Sequence, residues 1–194
     1  MGYIYFTRHG QSIWNIEKRI CGATDVPLSD LGREQAAVLG DKIRARLEAQ
    51  DKEENGELFR IDEILYSPLS RTEETAQILS ETTGIPRRPE QRIIEQDFGK
   101  YEGLDRDLEV FSQDKMRFFY DFDGGETMAR CMARVYNLMG ELEEESRLTG
   151  KIYLLVAHNG IARGFESWFR EMTIQEYANG CRFGNCELIR REFE

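Results

Sequence analysis

Strand-like and helix-like segments alternate along this 194-residue chain, and that alternation restricts it to an α/β fold around a mostly parallel sheet. Tyr3 to Thr7 is a β-branched and aromatic run that stops at Gly10 and reads as a first strand. Leu28 to Leu47 carries Ser29 and Asp30 as cap signals and spaces Leu31, Ala36, Leu39, Ile43 and Leu47 along one helical face. Polar Gln50 to Arg60, with Asn55-Gly56, is expected to be a solvated loop. Ile61 to Tyr66 reads as a second strand, and a helix from about Leu69 to Thr83 follows, with Ser70 and Glu73 as a capping box and Gly84 as its stop. A short strand at Arg92 to Ile94, a glycine turn and an aromatic-rich segment, Phe111 to Phe122, lead to a long helix over Glu126 to Leu148. Lys151 to Ala157 is the most apolar strand, and a helix at Ile161 to Glu171 and a strand at Cys186 to Arg191 close the chain. With no repeat and no linker, residues 1–194 are expected to form a single domain.

Charge narrows the partners. Against 36 acidic residues stand 26 basic ones, a net charge of −10, which argues against nucleic acid or an anionic membrane and confines any basic site to a local cluster. The longest apolar run, Ile152 to Ala157, is about a third of the roughly 18 residues a membrane helix needs. No secretory pattern opens the chain, and Phe6 stands where the myristoylation pattern has Ser or Thr. A cytoplasmic protein with reduced thiols at Cys21, Cys131, Cys181 and Cys186 is therefore expected, with a Cys181–Cys186 disulfide the lesser alternative. The cysteines form no C-x-x-C, so no zinc site is read from them.

The chain has only two histidines, and each lies just past a strand with a glycine within two residues: Arg8-His9-Gly10 and His158-Asn159-Gly160. Ligands of open α/β sheets bind beyond the carboxyl ends of the strands, and parallel pairing would carry both rings to one sheet edge. G-x-S-x-G, Walker A and G-x-G-x-x-G are absent, and there is no H-E-x-x-H; a metal set completed by carboxylates stays open. The other use of two such rings is covalent catalysis, with a neutral imidazole attacking an electrophile while cations hold the developing charge. Arg8 adjoins His9, and Arg71 sits in the first turn after the second strand, where a cation opposes the helix dipole unless an anion binds there. Guanidinium forks match phosphate oxygens.

Thr7-Arg8-His9-Gly10-Gln11-Ser12 with Trp14-Asn15 resembles the signature of the histidine phosphatase superfamily, the phosphoglycerate mutase-like proteins. The likeness continues through Arg19, Gly22, Asp25 to Leu28 and Gly32, then Ser67 to Thr75, Glu95 with Phe98 to Gly103, Gly124-Gly125-Glu126, and His158-Asn159-Gly160. The resemblance implies a three-layer α/β/α domain, His9 as the nucleophile that becomes phosphohistidine, and a phosphate pocket of Arg8, Arg71 and His158. It implies Glu95 as proton donor, further phosphate or substrate contacts from Asn15, Arg19 and Asn159, and no cofactor or metal. Gly124 to Thr127 is expected either to cap the long helix or to touch ligand.

Two departures bear on the reaction. Tyr101 stands where the phosphatase branch commonly has Trp, and the stretch after Glu95 lacks the Glu-Arg-His-Tyr-Gly pattern of mutases, for which the chain is also short. The first leaves the family assignment intact, whereas the missing mutase pattern and the short length favour a phosphatase over a mutase; the expected activity is that of a metal-independent phosphatase acting on a small phosphomonoester. The alternatives are a mutase-type phosphotransferase and a non-catalytic phosphate-binding or regulatory protein, and a second copy of the chain is kept as a partner. Phe111 to Phe122 is expected at the substrate entrance, in the core or at a subunit contact, with Lys115 or Arg117 serving a second anionic group.

Overall fold

The computed structural model describes residues 2–53, 56–180 and 182–193. Among these residues five strands, β1 (Tyr3–Arg8), β2 (Glu63–Tyr66), β3 (Arg87–Pro89), β4 (Tyr153–Ala157) and β5 (Leu188–Glu192), form one sheet in the order β3-β2-β4-β1-β5. All neighbours pair in parallel except β1 with β5. Among the described residues six α-helices accompany them: α1 (Ile13–Ile16), α2 (Asp30–Glu48), α3 (Ser70–Thr83), α4 (Glu109–Asp114), α5 (Met128–Thr149) and α6 (Asn159–Phe169). None is long and apolar enough to cross a membrane.

The central strands are apolar on both faces because helices cover both. Ile4, Phe6, Leu65, Tyr153, Leu155 and Ala157 pack with Val135, Leu138, Met139 and Leu142 of α5 and with Ile161 and Phe165 of α6. Tyr3, Tyr5, Ile64, Leu154 and Val156 turn to the other side, against Leu39 and Ile43 of α2 and Ala76 and Leu79 of α3. The period-two alternation of a strand thus feeds two cores, giving three α/β/α layers. A smaller cluster of Ile20, Phe98, Tyr101, Phe111 and Phe122 lies outside the sheet.

The pairing register sets the functional edge. Thr7 pairs with Val156 and Arg8 with Ala157, while Tyr66 pairs with Val156 from the other side. The residues just past these three parallel strands, His9, His158 and Ser67, therefore emerge side by side. The ladder runs one step further through His9 N–H to the Ala157 carbonyl (3.0 Å) and Ser67 N–H to the Val156 carbonyl (3.1 Å).

Several expectations need correction. The inward face of α2 is Gly32, Ala36, Leu39, Gly40 and Ile43; Leu31, one residue and about 100° around the helix from Gly32, falls off that face and is exposed. No strand forms at Arg92 to Ile94. The edge strand is Arg87–Pro89, paired as soon as the chain leaves the αL cap at Gly84; its last ladder bond runs from Glu90 N–H to the Tyr66 carbonyl (2.8 Å), and Pro89 is tolerated because this is an edge strand. Gln91–Ile93 is a 3₁₀ turn capped by the Glu90 carboxylate, and Ile93 reflects burial rather than pairing. The loop after α2 is anchored as well as solvated: Phe59 is buried, and Glu53 accepts from Tyr5 Oη (2.7 Å) and pairs with Arg46 (2.7 Å). Asn55 of the Asn-Gly pair lies outside the described residues.

The capping box of α3 is also absent. Leu69 occupies the N-cap, and the carboxylate of Asp25, 45 positions earlier, takes both the Ser70 N–H (2.8 Å) and hydroxyl (2.7 Å). A long-range cap ties the loop ahead of α2 to the start of α3, next to Arg71. Asp25→Ala is expected to lower stability by about 1 kcal/mol, the usual cost of a lost cap, with a smaller loss for Ser70→Ala, which keeps the backbone bond. Urea denaturation of the two variants checks this; a local capping box would reverse the order.

Candidate active site

His9 and His158 face each other with ring centroids 5.2 Å apart, and both are buried. His9 Nδ1 lies 2.6 Å from the Gly10 carbonyl oxygen. A carbonyl can only accept, so Nδ1 carries the proton and the lone pair of the neutral ring resides on Nε2. Burial, then the charges of Arg71 and Arg8, hold His9 well below the usual imidazole range. Burial and the same cations with His9 do the same to His158, whose Nε2 lies 2.7 Å from Ser67 Oγ.

The turn after β1 is held from two sides. Gly10 N–H donates to Thr75 Oγ (3.1 Å), and a Cβ on Gly10 would strike the Gly32 carbonyl at the start of α2. Without side chains at these positions the backbones approach closely and orient His9.

Arg71 is fully buried at the start of α3 and donates to the carbonyls of Gly22 (2.7 Å) and Thr24 (2.9 Å). Those carbonyls belong to a loop organised by Glu102, which accepts from the N–H groups of Gly22 (3.0 Å), Ala23 (3.1 Å), Thr24 (3.4 Å) and Phe98 (3.0 Å). Among the described residues, no carboxylate oxygen lies within 4.0 Å of the Arg71 guanidinium. Arg8 donates weakly to Asn15 Oδ1 (3.4 Å) and the Phe183 carbonyl (3.4 Å). Arg8 Nε, Arg71 Nε and His158 Nδ1 are buried without a hydrogen-bond partner. The two Nε–H groups, with His158 Nδ1–H in the tautomer whose Nε2 accepts the Ser67 hydroxyl, make a donor set that suits a tetrahedral oxyanion.

Glu95 is buried beside them. One carboxylate oxygen accepts from Gln96 N–H (2.9 Å) and the other from Gly160 N–H (2.9 Å). A Cβ on Gly160 would collide with this carboxylate, so the glycine gives it room. Gly124 to Thr127 braces the same loop: Glu126 N–H bonds the Asp97 carbonyl (2.9 Å), Gln96 Nε2 donates to the Glu126 carbonyl (3.0 Å), and Thr127 caps α5. Of its two expected roles, this segment takes the capping one.

A cavity of about 400 Å³ opens over these residues, lined by Arg8, His9, Asn15, Arg19, Glu95 and Asn159 among others. Asn15 works mainly on the protein, accepting from Ser12 N–H (3.1 Å) and Arg8. Arg19 is exposed at the rim and pairs with Glu17 (2.7 Å), and Asn159 Oδ1 accepts from Phe183 N–H (3.2 Å). The aromatic segment divides: Phe111 and Phe122 are core, Phe111 and Lys115 reach the cavity, and Phe119 is 81% exposed. Arg117 stacks on Tyr120 and pairs with Asp114 (3.1 Å), away from the cavity. No group of three or more His, Cys, Asp or Glu side chains suited to a metal ion occurs among the described residues. Cys21, Cys131 and Cys186 are free thiols; Cys181 lies outside the described residues.

Sequence reasoning gave Ser67, Thr75 and Glu102 no roles, although all three lie in its motif blocks. Their work is holding other residues, which one-dimensional spacing does not express. It passed over Arg163, Arg106 and Arg182 on the cavity wall altogether. A basic residue one turn into α6 was the available signal.

The sequence matches the family described as histidine phosphatase superfamily (branch 1) over residues 4–194. It is 30% identical to a phosphoglycerate mutase-like protein of Arabidopsis thaliana, covering 95% of this chain and 72% of the relative. It is 31% identical to a probable phosphoglycerate mutase of Salmonella choleraesuis, covering 83% of this chain and 71% of the relative. Among solved structures, a mycobacterial glucosyl-3-phosphoglycerate phosphatase superposes with a TM-score of 0.78 at 25% identity, covering 97% of this chain and 89% of its own. YhfR of Bacillus stearothermophilus shares the fold, with a TM-score of 0.79 at 22% identity over 100% of this chain and 92% of its own.

Three outcomes are expected from this geometry. Since the chain has only two histidines, long-range proton–nitrogen spectra at pH 6 should show two neutral rings, His9 protonated on Nδ1. Their folded pKa values are lowered, so below about pH 6.5 the unfolded chain binds protons that the folded one refuses, and stability should fall with pH there. A ring titrating near pH 6.5 would contradict this. Glu102→Gln turns a donor NH₂ toward backbone N–H groups, and the loosened Arg71 loop should bind inorganic phosphate about tenfold more weakly by calorimetry.

Proposed function

Since the chain belongs to branch 1 of the histidine phosphatase superfamily, we propose that it is a metal-independent phosphomonoesterase working through a phosphohistidine at His9. The observation that carries this reading is the tautomer imposed on His9: a neutral ring with its Nε2 lone pair free, beside two arginines and His158.

In the first step the Nε2 lone pair attacks phosphorus and the ester P–O bond breaks, its electron pair leaving on the alcohol oxygen. Glu95, carrying a proton, delivers it to that oxygen and becomes a carboxylate. Arg8, Arg71 and His158 Nδ1–H bear the charge on the equatorial oxygens, which spreads outward in such transition states. In the second step water attacks the phosphohistidine, Glu95 takes a proton from that water, and the P–N bond breaks with its electrons returning to Nε2. Phosphate leaves and the enzyme is restored. The catalytic groups are thus His9, Arg8, Arg71, His158 and Glu95. Asn15 supports Arg8, and Arg19 and Asn159 border the substrate.

Hydrolysis is preferred to mutase chemistry because a mutase must exclude water and keep its organic product for re-phosphorylation. The segment Gln96 to Gly103 is committed to short turns and the Glu102 brace, which leaves little chain to seal the cavity. A non-catalytic binding protein would have no use for a nucleophile and acid kept together.

Rapid quench during turnover of an alkyl phosphate should trap an acid-labile, base-stable phosphoenzyme, with phosphate release surviving EDTA and 3-phosphoglycerate yielding phosphate rather than 2-phosphoglycerate. His9→Ala should abolish adduct and turnover. Glu95→Gln should slow alkyl esters by roughly 100- to 10,000-fold, the range for losing a general acid. Aryl esters, whose leaving groups need less protonation, should lose less. An active His9→Ala variant would end the proposal, and equal losses on alkyl and aryl esters would remove Glu95 from the chemistry.

A further inference from the structure

The tautomer of His9 is decided by the direction of a single carbonyl. Nδ1 bonds Gly10 C=O (2.6 Å), so the lone pair stays on Nε2 only while that carbonyl points back at the ring. A peptide group is planar, and in the trans form the C=O of one residue and the N–H of the next point to opposite sides, so gripping one aims the other. Three consecutive peptide groups at the end of β1 are each gripped at both ends. Arg8 C=O accepts from Cys186 N–H (2.9 Å) while His9 N–H donates to the Ala157 carbonyl (3.0 Å). His9 C=O accepts from Asn185 Nδ2 (2.7 Å) while Gly10 N–H donates to Thr75 Oγ1 (3.1 Å). Gly10 C=O faces the ring while Gln11 N–H donates to Gln35 Oε1 (2.9 Å).

The first of these groups is held by backbone alone. The other two depend on side chains carried by three separate elements: Gln35 on α2, Thr75 on α3 and Asn185 in the turn ahead of β5. Past the end of a strand no ladder orients the chain, and His9 is buried, so its carbonyl and ring rely on partners from the protein. The turn that carries Asn185 is strained. Cys186 has a φ of 54°, a left-handed conformation uncommon for a residue with a side chain, and at this turn two successive residues reach the nucleophile segment, Asn185 through its amide and Cys186 through its N–H.

We propose that Gln35 and Asn185 are positioning residues for the nucleophile: by gripping the peptide groups on either side of Gly10, they hold its carbonyl against the His9 ring and keep the Nε2 lone pair free. Neither lines the cavity over His9, so their effect passes through the backbone. The consequence for rate rests on the phosphatase reading, whereas the tautomer is a property of the protein alone. Gln35 acts as an acceptor and Asn185 as a donor, and that difference separates hydrogen bonding from packing.

The test replaces each amide by the matching acid and by leucine. Gln35→Glu keeps an acceptor oxygen for Gln11 N–H, whereas Asn185→Asp removes the donor to the His9 carbonyl, although both add one negative charge and change volume little. Long-range proton–nitrogen spectra of the ligand-free protein are recorded at about pH 8, above the ordinary imidazole pKa. His9 should be protonated on Nδ1 in the unsubstituted chain and in Gln35→Glu, and should mix with the Nε2-protonated ring in Asn185→Asp, Gln35→Leu and Asn185→Leu. Phosphate release from para-nitrophenyl phosphate should slow at least about tenfold in those three variants and less than about twofold in Gln35→Glu, the scale on which a displaced reacting group loses rate. A lone Nδ1-protonated ring in both leucine variants overturns the proposal. So does a rate that falls with the ring unchanged, a ring that changes while the rate holds, or Gln35→Glu behaving as Gln35→Leu. Where a leucine variant does not fold, Gln35→Glu and Asn185→Asp decide alone: opposite behaviour upholds the positioning role and like behaviour overturns it. A tautomer that shifts in a protein releasing no phosphate from any ester upholds the positioning role and overturns the phosphatase reading, and release with an unmoved tautomer does the reverse.

Discussion

The guanidinium of Arg71 is a full charge taken out of water at the start of a helix whose dipole opposes it. Two carbonyl oxygens, Gly22 and Thr24, hold it, and they orient the fork without neutralising it. Much of the site follows from that arrangement. Glu102 exists to hold the carbonyl loop, Asp25 ties the same loop to the first turn of α3, and Gly22 lets the chain pass close to Glu102 and Gln96. The charge left uncompensated suits an anionic ligand, and in a chain of net charge −10 it is a local exception to the overall field.

Around this cation the two imidazoles stay neutral, and burial and the arginines act in the same direction to keep them so. Neutrality is what a nucleophilic nitrogen requires. The Gly10 carbonyl then selects which nitrogen is free, and Ser67 bonds Nε2 of His158, leaving Nδ1 for a ligand. Glu95 enters from a different loop and meets the histidine side of the site only because residue 160 has no side chain to block it. Glu95, His9 with Arg8, Arg71 and His158 thus come from four separate segments that meet at one edge of the sheet.

The sequence by itself determined the order of strands and helices, the wrapping of apolar strands by helices, and the location of His9 and His158 just past strand ends. Hydrophobic periodicity and strand-to-glycine punctuation are local properties, and they survive in one dimension. It also pointed to Arg8 and Arg71 by residue type and place, and to Glu95 through the resemblance of its flanking motif to the family's. It did not contain the edge strand at Arg87–Pro89, since Ile93 and Ile94 give the same apolar signal whether they pair in a sheet or pack beneath α5. Nor did it contain the cap of α3: Ser70 and Glu73 satisfy a local pattern, but a distant Asp25 reaches the same donor and takes it. Tertiary structure alone decided the row Ser67, His158, His9, the four N–H groups gathered by Glu102, and the meeting of Lys115, Arg163 and Arg182. Each depends on register or on loops brought together across tens of residues, and a linear pattern cannot encode which distant donor finds which acceptor until the sheet has set the distances.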